Sequence, residues 1–88
     1  MASQSKIDNV WEKAKPMRGE NPDTYRKDLY GNIIRKQSYG THGQYGWEID
    51  HKNPLAKGGT DTNRNLQPLH WEENRQKSDI YPYKKKSN

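Results

Sequence analysis

Asp50 and His51 stand side by side where a short alternating run, Trp47-Glu48-Ile49-Asp50, gives way to Asn53-Pro54. A carboxylate is a hard oxygen ligand for an ion such as Mg²⁺, and an adjacent imidazole can take a proton from water near neutral pH. The pair therefore has the makings of a hydrolytic metal site. Neighbouring strand residues point to opposite faces, so both can serve one site only if the chain bends there. Asn53-Pro54 is consistent with such a bend. An isolated Asp-His pair is also common on polar surfaces, so the elements around it carry the argument.

In the run before the pair, Trp47 and Ile49 share one face of a strand, and Glu48 and Asp50 share the other. Residues Lys52 to Asn65 contain Asn53-Pro54 and Gly58-Gly59 and are expected to form a long ordered loop. Leu66 to Leu69 can return as a second strand, which Pro68 restricts to an edge or a strand end. Trp71 to Lys77 carries helix formers without Pro or Gly.

The first half reads differently. Residues 1–4 look like a flexible leader, and Ser5 with Asp8 has capping-box spacing for a helix over residues 5–15. Ile7, Val10, Trp11 and Ala14 form its apolar stripe, and the helix must stop before Pro16. Pro16 to Asp28 reads as loop. Gly31-Asn32 suggests a tight hairpin between Leu29-Tyr30 and Ile33-Ile34. Residues 80–88 form a polar, basic tail that is expected to fray.

Only 27% of the 88 residues are hydrophobic, there is no Phe, and Leu, Ile and Val contribute four, five and one. A composition this poor in aliphatic residues borders on that of disordered chains. Three Trp and six Tyr argue for a folded core, since each aromatic buries roughly 150–250 Å². The core should be thin, and helped by a bound ion or a polyanion. A net charge of +5 with interleaved aromatics fits attraction to a phosphate backbone, although a basic surface also serves solubility alone. The absence of Cys excludes disulfides and thiolate zinc sites. No apolar run approaches the ~20 residues that span a bilayer, so a soluble cytoplasmic protein is the expectation.

The run GWEIDHKNPLAKGGTDTNRNLQPLHWEENRQKSD, Gly46 to Asp79, resembles the HNH endonuclease motif of the ββα-metal, or His-Me finger, nucleases. Its order of parts is a strand ending in Glu-x-Asp-His, a Pro, a Gly-Gly loop, Asn-Leu opening a second strand, and a helix bearing His or Asn followed by Lys. Glu48, Asp50, His51, Pro54, Gly58, Gly59, Asn65, Leu66, Leu69, Asn74 and Lys77 fill those slots. The ending Asn74-Arg75-x-Lys77-Ser78-Asp79 is similar to the HNH domain of RNA-guided CRISPR nucleases. The resemblance implies an α+β fold: a small ββα-metal core with the N-terminal helix and the additional short hairpin. All 88 residues would then form a single domain.

It further implies a metal-dependent DNA endonuclease. His51 would activate water, Asp50 and Asn74 would bind one divalent ion (Mg²⁺ or Mn²⁺), and Asn65 would hold the loop by side-chain to backbone bonds so that His51 is aimed. This is the variant with Asn at the helix position. His70 and Glu73 occupy slots where zinc-bearing members carry a CxxC pair. One carboxylate and one amide oxygen leave most of an octahedral shell to water and phosphate, as Mg²⁺ prefers. Arg75, Lys77 and Lys52 are candidate clamps on nucleic-acid phosphates, or else a solvated helix face. Glu48 either accepts a hydrogen bond behind the ligands or pairs with a cation on the strand surface. His42 reads as an exposed loop residue, and His70 as a packing or capping residue. The partner is DNA, with a homodimer or a partner protein required for a double-strand break. The rival is a nucleic-acid-binding module of the same fold that cuts nothing.

Overall fold

The computed structural model describes residues 2–85. Helix α1 spans Gln4–Trp11, with Ser3 as its N-cap, whose hydroxyl accepts the Lys6 N–H. The cap thus lies two residues before Ser5, and Gln4, expected in a flexible leader, bonds to Asp8 one turn on. After Trp11 the chain tightens into a turn closed by Ala14 N–H to Trp11 carbonyl at 2.9 Å, short of the expected end at residue 15. The apolar stripe does what its spacing predicts. Val10, Trp11 and Ala14 are buried with Ile34, Trp47 and Leu66, and Ile7 packs against them.

Residues 16–28 are not simply a loop. Lys15–Pro16 (β1), Tyr25–Lys27 (β2) and Ile33–Arg35 (β3) form an antiparallel sheet in that order. The expected hairpin exists, but its first strand is Tyr25–Lys27 rather than Leu29-Tyr30. The Asp28 carboxylate accepts the N–H groups of Tyr30 and Asn32, which folds Leu29-Tyr30 into the turn and leaves Leu29 exposed. Strand β2 escapes an apolar pattern because its inward residue is Arg26. That guanidinium is buried over the Trp11 ring and donates to the carbonyls of Pro22, Glu12 and Ala14.

Strands β4 (Trp47–His51) and β5 (Leu66–His70) pair antiparallel, with Asp50 opposite Gln67 and His51 opposite Leu66. Pro68 sits opposite Ile49 in a two-stranded ribbon, with β5 as its edge strand, while β4 meets Tyr39 and Gly40 through Trp47 on its other side. Trp47 anchors the ribbon to the rest of the core, its ring centroid 5.4 Å from that of Trp11 and 5.0 Å from that of Tyr39. Helix α2 (Trp71–Lys77) packs on both strands. His70 caps it, its Nδ1 accepting the Glu72 N–H while Nε2 lies 2.8 Å from the Gln44 carbonyl.

The segment after Asp79 is more ordered than its composition suggests. The Tyr83 hydroxyl donates to the Glu73 carboxylate, Lys85 pairs with the same group at 3.5 Å, and the Tyr83 ring meets Tyr30 edge-on. The fraying tail is corrected by these contacts as far as Lys85; Lys86 lies outside the described residues.

Candidate active site

Asp50, His51 and Asn74 border one cavity of ≈ 300 Å³, together with Ile49, Pro54, Leu55 and Ser78. Asp50 and His51 arrive from the end of β4, and Asn74 arrives from the middle of α2. The bend at the strand end is stabilised by the following loop. Lys52 N–H donates to the Asn65 carbonyl at 2.7 Å, and the Asn65 side chain crosses the loop mouth. Its Oδ1 accepts the Asn53 N–H at 2.9 Å, while its Nδ2 donates to the carbonyls of Asn53 (2.9 Å) and Thr60 (2.7 Å). One amide thus satisfies three backbone groups that the loop's irregular path leaves unpaired. Gly59 is obligatory in this closure, since a Cβ there would fall 1.8 Å from the Asn53 carbonyl oxygen.

The imidazole of His51 is held from the loop: its Nε2 lies 2.8 Å from Asp61 Oδ1. Lys6 of α1 reaches the same carboxylate at 3.4 Å. Hydrogen bonds from His51 and then Lys6 hold the Asp61 carboxyl below the usual range. Asp61 went unnoticed in the sequence because a lone Asp after Gly-Gly-Thr reads as loop polarity. Ten residues separate it from His51, and only the folded loop brings them together.

Glu48 stands behind Asn74, outside the cavity lining. Its Oε1 accepts the Asn74 Nδ2–H at 2.7 Å, and Arg75 grips both its oxygens at 2.8 and 2.9 Å. The amide nitrogen is thereby committed to Glu48, which leaves Asn74 Oδ1 as the atom available to a cation. Hydrogen bonds, first from Arg75 and, against the opposing effect of burial, from Asn74, keep the Glu48 carboxyl below its ordinary value. Glu48 thus pairs with a cation on the strand surface and also accepts from the Asn74 amide.

The three cations expected as phosphate clamps part company. Lys52 is exposed on the loop side of the site. Burial and then the charge of Lys52 lower the pKa of Lys13, so these two lysines share a positive region. Arg75 is half-exposed, but its fork is engaged by Glu48. Lys77 does not fit a clamp: its side chain is 1% exposed, 3.3 Å from Asp50 Oδ2 and 3.0 Å from the His51 carbonyl oxygen. The last turn of α2 points it under the strand end, where a cation is needed to balance a buried carboxylate. Gln67, across the ladder, donates to the same Asp50 oxygen at 2.8 Å.

Residues 37–79 match the family model for HNH endonuclease. The chain carries an HNH domain. No curated protein and no solved structure matches the chain. Within the HNH domain, β4, β5 and α2 are the two strands and the helix of the ββα unit, and α1 packs against β5 from outside the matched segment. This match associates residues 37–79 with nuclease or other nucleic-acid chemistry.

The side chains at the cavity that could serve a divalent ion are few, and Asp50 among them is already paired with Lys77 and Gln67. Among the described residues no cluster of three or more His, Cys, Asp or Glu side chains is placed to hold a metal. The cavity instead offers the Asp50 carboxylate and the freed Asn74 Oδ1, both hard oxygens, which suits an ion that keeps most of its water. Among the described residues, no helix is long and apolar enough to cross a membrane.

Proposed function

We propose that this HNH domain is a Mg²⁺- or Mn²⁺-dependent DNA endonuclease with His51 as general base. The observation that carries the reading is the convergence of Asp50, His51 and Asn74 on one cavity, from two elements, with His51 held from behind by Asp61. Asp50 and Asn74 would hold the ion. When bound, it would polarise the scissile phosphate and offset charge on the departing 3′ oxygen.

His51 withdraws a proton from water as the water oxygen forms its bond to phosphorus. The bond to the 3′ oxygen breaks, and that oxygen leaves with the electron pair and takes a proton from solvent, to which His51 later returns its own. A 5′-phosphate and a 3′-hydroxyl result. Lys52 and the neighbouring positive region attract the backbone, while Asn65 keeps the loop closed so that His51 stays aimed. One such site cuts one strand, so a double-strand break requires a second copy or a partner.

Relaxation of a supercoiled plasmid with added Mg²⁺ tests the reading. Wild type should nick the plasmid, and His51→Ala should abolish nicking while leaving DNA affinity nearly intact. A folded His51→Ala protein that nicks at the wild-type rate removes His51 from the mechanism. The Lys77–Asp50 ion pair favours a second reading, in which the domain binds nucleic acid without cutting, because the carboxylate already has a cation. Salt-dependent DNA binding with no cleavage under any divalent ion would establish that second reading.

A further inference from the structure

We propose that Asp61 is the positioning residue for His51, fixing the proton of the neutral ring on Nε2 so that Nδ1 faces the attacking water. The proposal rests on the nuclease reading only for the destination of Nδ1; the state of the ring is a separate claim.

An ionised carboxylate has no hydrogen to give. At 2.8 Å from Asp61 Oδ1, His51 Nε2 must therefore be the donor, and the lone pair of the neutral ring resides on Nδ1. Among the described residues Nδ1 has no hydrogen-bond partner, and His51 borders the cavity that Asp50 and Asn74 share.

Asp61 is itself placed from two directions. The Asn65 amide grips the carbonyl of Thr60, the residue just before it, at 2.7 Å. Lys6 reaches both its carboxylate oxygens, at 3.4 and 3.5 Å. Helix α1, which lies outside the matched segment, thereby braces the group behind the base. As Nδ1 takes the proton from water, the ring becomes positive, and the carboxylate facing Nε2 stabilises that charge without accepting the proton.

A structural explanation of the pair is weak. Asp61 is 63% exposed, and exposed ion pairs contribute little to stability. Its removal should therefore change the ring and not the fold.

The experiment combines ring ¹⁵N NMR of His51 in the full chain, above neutral pH, with single-turnover cleavage of plasmid DNA in Mg²⁺. The wild type should show the Nε2–H tautomer. Asp61→Ala should relax the ring toward the tautomer mixture of a free neutral imidazole, with a visible Nδ1–H fraction, keep its melting temperature, and lower kcat about 10- to 100-fold with KM unchanged, as for loss of a group behind a functional residue. Asp61→Glu restores an acceptor-only carboxylate on an exposed side chain and should recover both the tautomer and most of the rate.

A wild-type ring in the Nδ1–H form overturns the proposal. So does an Asp61→Ala protein whose tautomer population is the same as the wild type's, whatever its rate. If the wild type cuts nothing, the nuclease reading falls, and the ring measurement still decides whether Asp61 sets the tautomer.

Discussion

The ammonium of Lys77 lies 3.3 Å from the carboxylate of Asp50, and both side chains are buried. A residue at the end of a helix thus neutralises the one carboxylate at the cavity, and it ties α2 to the strand end through the His51 carbonyl as well. Lys77 is structural here, and on the proposed reading a divalent ion would share Asp50 with it.

Removing one partner of such a pair leaves the other buried and uncompensated. Lys77→Ala should destabilise the fold by about 3–5 kcal/mol, the usual range for breaking a buried ion pair from one side. Urea unfolding checks this. A loss no larger than that of an exposed lysine would show that Asp50 finds another partner.

Arg75 and Lys52 should separate in their effects. Lys52→Ala should make the dependence of log K for DNA on log salt shallower by roughly one unit. Arg75→Ala should barely change that slope, because its fork is spent on Glu48. It should instead raise the Mg²⁺ concentration needed for cleavage, as should Glu48→Ala, since both loosen the Asn74 amide. Equal salt slopes for wild type and Lys52→Ala would take Lys52 out of the DNA contact.

The metal preference follows from the donors. Mg²⁺ and Mn²⁺ should support cleavage, whereas Zn²⁺ should fail or inhibit through His51. Asn74→His should shift activity toward Ni²⁺ or Co²⁺. A metal titration of plasmid nicking reads all of these, and full activity in excess EDTA would show the ligands to be misassigned.

Glu48 makes stability depend on pH in a definite direction. Its folded pKa is lowered, chiefly by the Arg75 hydrogen bonds. The stabilisation is therefore present above the unfolded carboxylate value and is lost as pH falls through the folded one. Wild type should melt above Glu48→Gln at neutral pH, and the gap should close in acid. A gap that widened on acidification would contradict the pair.

Tyr83 gives the opposite sign. Burial, together with its hydrogen bond to Glu73, pushes its phenol up to about 12. That contribution is complete below the unfolded tyrosine value and is lost as pH rises through the folded one. Burial raises Tyr30 as well, so tyrosinate absorbance should show Tyr83 ionising last of the six phenols, and Tyr83→Phe should remove that last step.

Short-range pattern was enough to place β4, β5 and α2, and the family resemblance of the Gly46–Asp79 run made Asp50, His51, Asn65 and Asn74 the candidates. Period-two and helical patterns, turn residues and the spacing of the Gly46–Asp79 run are properties of neighbouring residues, and they survive in one dimension. Strand β2 was illegible because its buried residue is Arg26, whose charge is satisfied by carbonyls from elsewhere in the chain. The same reason hides the rest. Whether Lys77 meets solvent or Asp50, whether Arg75 faces phosphate or Glu48, and whether Asp61 is loop filler or the group behind His51 depend on which distant segments pack together. A charged side chain is a long, flexible group whose partner is chosen by burial and register, and both are settled only when the strands pair and the helix lands on them.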